Sequence, residues 1–207
     1  MAAIGIADLT VSVPDGFYPV RLDEDIDSEV WATEVVARAE SESESGAIDH
    51  EGALRDELFD LRIRLLAQLN PYLTAAVYIR REQFLSLGAL MTFQVVEVEP
   101  EHDPAWFERE ARAVASSEDA EGHTILFDTW QRPAPAGTIA GVHQVVEYLA
   151  PGVEDGWIEA RTVFGVFPPG SHEMVHFTFT TADLATFGDM PAETEAIVAS
   201  LAIELEA

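Results

Sequence analysis

Apolar residues recur along this chain with two different periods, and the alternation between them marks its elements. Leu9, Val11 and Val13 alternate with their neighbours and then meet Pro14-Asp15-Gly16, which predicts a strand closed by a turn. Beyond an acidic stretch, Asp27 or Ser28 can cap a helix that runs to about Ala39 with Trp31 and Val35 on one face. The polar run Ser41 to Gly46 interrupts it and reads as a mobile loop. From Asp49 onward Leu54, Leu58, Leu61, Leu65 and Leu69 fall at a period near 3.6, the clearest helix of the chain, which Asn70-Pro71 ends.

The period then shortens. Leu73 to Arg80 and Phe84 to Val98 read as strands, the second with Met91, Phe93 and Val95 alternating against Thr92 and Gln94, as a sheet with one buried face requires. Asp103-Pro104 offers a cap and a proline at the first helical position, so a short helix is expected to about Ser116 with Trp106, Phe107 and Val114 as its face. His123 to Trp130, Thr138 to Tyr148, Trp157 to Phe167 and His172 to Thr180, separated by Pro- and Gly-containing turns, describe an antiparallel meander. Asp189 and Pro191 open a last helix with Met190, Thr194, Ile197 and Leu201 in register, and Ile203 and Leu205 form an extended tail. The expected fold is α+β, an antiparallel sheet of about six strands with helices over one or both faces. No linker divides the 207 residues into halves that could each bury a core, so residues 1–207 are expected to form one domain.

Charge changes the picture more than hydropathy does. Hydrophobic residues make up 48% and charged residues 24%, a globular composition, but 38 Asp and Glu face only 11 basic residues, every one an arginine, for a net charge of −27. Such a surface repels phosphate backbones and anionic headgroups, so neither nucleic acid nor a membrane is expected as a partner. Basic proteins, metal cations and neutral ligands stay open. Glu34/Arg38, Glu51/Arg55, Asp60/Arg64 and Glu108/Arg112 sit four apart with the acid first, which suits the helix dipole and would spend these arginines locally. Without cysteine there is no disulfide, thiolate nucleophile or thiolate-held metal. The start, Met1 to Asp8, has neither a basic segment nor an apolar run, and no later run could span a bilayer, so a cytoplasmic protein is expected.

Three segments together resemble the PsbP-like fold family: Val11-Ser12-Val13-Pro14-Asp15-Gly16-Phe17, the hairpin Trp157 to Thr180, and Phe187 leading into Ile197-Val198-Ala199-Ser200-Leu201-Ala202-Ile203. Its members include an extrinsic photosystem subunit, a Ran-binding transport factor, actinobacterial lipoproteins and effector-associated chaperones. The resemblance implies a non-catalytic binding, adaptor or chaperone-like module and supplies no active-site residues. The acidic helix before Ser41, the long leucine helix and the missing lipidation signal depart from it. A helix-grip fold of the START type is the alternative, and it would enclose a small apolar ligand.

Two motifs could carry metal chemistry. His172-Glu173-Met174-Val175-His176 is a literal H-E-x-x-H, the ligand pair of zinc metallopeptidases, which needs a helix so that both imidazoles reach one ion. Pro168-Pro169-Gly170 just before it and the alternation of Val175, Phe177 and Phe179 predict a strand instead. On a strand residues four apart stand about 13 Å from each other, so two histidines on an exposed face are expected, and Glu193 or Glu195 is the only third ligand to suggest. Asp23, Asp25, Asp27 and Glu34 match the first, third, fifth and twelfth positions of a calcium loop, with Val30 at the apolar eighth, but Ser28 stands where the turn needs glycine. Of the other histidines, His143 lies in an apolar strand, while His50, His102 and His123 begin elements. Trp31, Trp106, Trp130 and Trp157 are too dispersed for a stacking platform. Neither a nucleophile elbow nor a phosphate-binding glycine loop occurs. The expectation is a non-enzymatic adaptor without cofactor or catalytic residues, whose acidic surface recruits a basic protein partner. A small apolar ligand carrier and a zinc peptidase are the alternatives.

Overall fold

The computed structural model describes residues 4–117, 122–148 and 156–206. Met1 to Ala3, read above for a leader, and the Pro151-Gly152 turn lie outside them. In chain order the elements are β1 (Ile6–Thr10), β2 (Phe17–Val20), α1 (Ser28–Ser41), a 3-10 turn (His50–Gly52), α2 (Ala53–Leu66), β3 (Thr74–Arg81), β4 (Leu85–Glu97) and α3 (Pro104–Ala115). There follow β5 (His123–Ala134), β6 (Gly137–Tyr148), β7 (Trp157–Phe167), β8 (Glu173–Thr181), α4 (Met190–Ala199) and β9 (Ala202–Leu205). The fold is α+β. Seven strands form one antiparallel sheet in the order β2-β3-β4-β8-β7-β6-β5, where about six were expected, and β1 pairs with β9 in a two-stranded ladder that takes up the extended tail. By contact density the chain divides into two compact units, one of residues 14–92 and one of residues 1–13 with 93–207, a boundary inside β4 that no linker composition marks.

The unit of residues 14–92 is built on its two helices. The Asp27 carboxylate accepts from the Glu29 and Val30 amides and so caps α1, whose Trp31, Ala32, Val35, Val36 and Ala39 are buried. Asp49 does the same for α2 from outside the 3-10 turn, accepting from the Leu54 and Arg55 amides. The leucine stripe is buried at Leu54, Leu58, Leu61 and Leu65 but not at Leu69, which has φ 52° and is 84% exposed. The helix stops at Leu66, after which the Gln68 and Leu69 amides donate to carbonyls only three residues back, and the backbone is left-handed at Leu69 ahead of Asn70-Pro71. The loop read between Ser41 and Gly46 is tied down by its serines: Ser43 accepts from the Ala47 amide, and Ser45 donates to the carbonyls of Arg81 and Glu82. The acid-first pairs are not the ones made, since Arg38 bonds Glu42 and Arg55 bonds Asp56. Arg62 lies on the buried side of α2 and is 1% exposed.

In the other unit the meander is regular, with Val142 opposite Val163 and Phe164 opposite Phe177. Alternation sorts its residues onto two faces, and each face has a helix. The Asp103 carboxylate caps α3 through the Trp106 amide, and this helix lays Phe107 over Ala140, Val142 and Met174. Gly165 makes that approach possible, because a Cβ there would stand 3.1 Å from the Phe107 ring. Asp189 caps α4, whose Met190, Thr194, Ile197 and Val198 are buried, with Leu201 beyond its end, as the register predicted. On the opposite sheet face from Val142, Trp130 packs edge-on against Phe164 and donates its indole N–H to Glu195 of α4.

Candidate functional site

A cleft opens where α3 lies across the meander. Phe107, Ala111 and Val114 follow one another at helical spacing along its roof, flanked by Trp106, and Val142, Val163 and Met174 form its floor. Ala111 is a small, partly buried residue packed against the cluster of Phe107, Val142 and Met174, and the cleft that it helps to line holds about 400 Å³, within the range of small-molecule sites. Five polar side chains stand among these apolar ones: Glu110, Gln144, Arg161, His176 and Thr178.

The electrostatics of the cleft are nearly balanced. Arg161 is held by Glu159 at 2.7 Å and lies 3.4 Å from the Tyr148 hydroxyl, so its charge is already met. His176 faces the Phe107 ring at 6.1 Å, and burial pushes its pKa below the usual histidine range. His143, on the other sheet face and 3.1 Å from the Thr162 hydroxyl, is lowered likewise by burial, against the opposing pull of a backbone hydrogen bond at Arg161 and the charges of Asp128 and Asp189. Both groups therefore take up a proton more readily unfolded than folded. Their contribution to stability is complete above the unfolded value of about 6.5 and is lost as the pH falls from there toward the folded pKa. Melting temperatures measured from pH 7.5 downward should fall less steeply for His176→Gln than for the native protein, a difference from which the acidic surface common to both cancels. Parallel curves would mean that His176 is not buried neutral.

In comparisons with known proteins, no family model matches this chain and no curated protein matches it. Its site must be read from its own residues.

The H-E-x-x-H segment lies where the strand was predicted: His172 sits at a bend just before β8, and Glu173 to His176 run along the strand. The histidines are not on an exposed face, however. Both are half-buried, His176 because α3 covers its side of the sheet. Nor do Glu193 and Glu195 approach them as ligands, since Glu193 accepts from the Asp189 amide and Glu195 is engaged by Trp130 and, at 3.3 Å, by Arg132. Among the described residues the one group of three or more metal-ligating side chains that converges is Glu97, His172 and Glu173.

The calcium pattern does not assemble. Asp27 spends its carboxylate on the cap of α1, Asp23 stands 3.9 Å from Arg21, and the carbonyl oxygen of Asp23, of the kind a calcium ion would use, accepts from Arg62. The remaining candidates have packing roles. His50 meets Phe84 edge-on, His102 stacks on Trp106 at 3.9 Å, and His123 begins β5. Trp31 donates to the Pro19 carbonyl, and Trp157 stacks on Tyr148 at 5.0 Å. Sequence reading missed the cleft itself. The signal available was α3, whose Ala111 falls between Phe107 and Val114 and puts a small residue in the middle of an apolar face.

Proposed function

We propose that this protein is a non-catalytic binding module that takes one small, mainly apolar molecule with a neutral polar end into the cleft beneath α3. The observation that carries this reading is the pairing of an apolar floor and roof with a few polar groups already balanced in charge. A carboxylate end would find Arg161 taken by Glu159 and would meet Glu110 at the rim, whereas a hydroxyl or carbonyl could share Gln144, Thr178 and neutral His176. The net charge of −27 also favours uncharged ligands over anions. No helix among the described residues is long and apolar enough to cross a membrane.

A neutral solvatochromic dye such as Nile red tests it. The native protein should bind it saturably at one site, and Ala111→Phe, which fills the space under the helix, should weaken binding at least about tenfold while leaving the melting temperature within a few degrees. Dye that binds the filled variant equally well, or no saturable binding at all, would remove the cleft from consideration.

The adaptor reading keeps support from one separate observation. Strand β5 is an edge of the seven-stranded sheet and leaves Ile125 54% and Leu126 41% exposed. An added strand from a basic protein partner would cover them, in line with the docking role that the PsbP-like resemblance implies.

A further inference from the structure

We propose that Glu97, His172 and Glu173 form a binding site for one divalent transition-metal ion of the zinc class, separate from the cleft and from the ligand pair that the H-E-x-x-H spacing suggests. One ligand atom from each of the three lies within 4.8 Å of the others. Bonds of about 2.0–2.2 Å to a shared ion bring such atoms to roughly 3–4 Å, a change that side-chain rotation alone supplies.

The backbone around the site is held from two sides. The Val98 amide donates to the His172 carbonyl at 2.8 Å, which sets the end of β4 beside the bend, and the His172 amide donates to the Ile4 carbonyl at 3.2 Å. The bend also explains why adjacent residues can converge. Successive residues of a regular strand point to opposite faces, but His172 lies before β8 begins, so its ring and the Glu173 carboxylate share a side.

Two further facts point to a cation. The His172 Nδ1 is buried without any hydrogen-bond partner, a costly state for a nitrogen that coordination or a proton donor would relieve. Among the described residues neither Glu97 nor Glu173 pairs with an arginine, although Glu173 accepts from the Ile6 amide. A second oxygen of Glu173 and the exposed carboxylate of Glu97 thus stand beside an imidazole with no positive charge to answer them. One nitrogen and two carboxylates suit zinc or a neighbouring transition metal, with water completing the shell, better than calcium, which takes six to eight oxygens.

Calorimetric titration of zinc into the chelator-treated full chain, in about 0.15 M salt with millimolar calcium to occupy the acidic surface, decides the matter. One zinc per chain is expected. His172→Ala and Glu97→Gln should each weaken it at least about tenfold, while Glu34→Gln, in the acidic pattern of α1, leaves it unchanged. Because Glu97 is exposed, its variant keeps the fold even where the histidine variant does not. No stoichiometric binding in the presence of calcium, or binding that survives both substitutions, overturns the proposal. So does binding that is lost with His176→Ala as fully as with His172→Ala, which would return the metal to the longer motif.

Discussion

Arg62→Met should cost about 2–4 kcal/mol of stability, seen as a lower urea midpoint at unchanged slope. The Arg62 guanidinium is 1% exposed and serves three acceptors on the segment that precedes and opens α1: the Arg21 carbonyl at 2.6 Å, the Asp23 carbonyl at 2.8 Å and the Ser28 hydroxyl. Methionine restores most of the apolar stem but none of the donors, so oxygens that had charge-assisted hydrogen bonds lose them together. Arg62→Lys should recover little, because one ammonium cannot fork to three acceptors spread over residues 21 to 28. A loss below about 1 kcal/mol for methionine would show that water replaces the guanidinium at these carbonyls. This arginine also accounts for the failed calcium pattern. The acidic segment is organised from inside by a cation of the chain's own.

The second large effect is expected at Gly141. It stands opposite Trp130 in the β5–β6 ladder, and a Cβ there would fall 2.4 Å from the indole ring, so any side chain must displace the tryptophan. Displacement removes the edge-on contact with Phe164 and the hydrogen bond to Glu195 of α4, one of the contacts between that helix and this face. Gly141→Val should therefore destabilise by about 2–4 kcal/mol, from overpacking together with a lost bond to a charged group. Valine suits a strand intrinsically, which sharpens the test, since propensity predicts the opposite sign. Trp130→Ala lowers stability by itself but makes room, so the double variant should be less destabilised than the sum of the two single changes. Strict additivity would mean that the clash is relieved by backbone movement instead.

Much of the architecture was legible because it rests on local physics. Asp27, Asp103 and Asp189 each cap a helix in the structure as their positions implied, and the alternation through Phe177 and Phe179 identified β8 in spite of a metal motif that belongs on helices. Leu69 misled because it continues the stripe by one period after the chain has already turned. The charged pairs misled for a different reason. An arginine at helical spacing from several acids has more than one partner within reach, and small differences of rotamer chose Glu42 for Arg38 and Asp56 for Arg55.

The two candidate sites were not legible as sites, although every residue in them was visible. Trp106, Phe107 and Val114 could be read as a helix face, but that a cleft lies beneath them depends on how α3 meets the sheet, where Phe107 closes on Gly165. Glu97 carries no motif at all; it joins His172 and Glu173 only because β4 ends beside the start of β8. By itself the sequence determined the α+β class, the helix caps, the meander and the sign of the surface charge, since each follows from residues within a few positions of one another or from composition alone. Only the tertiary structure decided the seventh strand, the β1–β9 ladder, the inward turn of Arg62 and the meeting of cleft and carboxylate residues, because these join positions far apart in the chain, whose pairing no local period encodes.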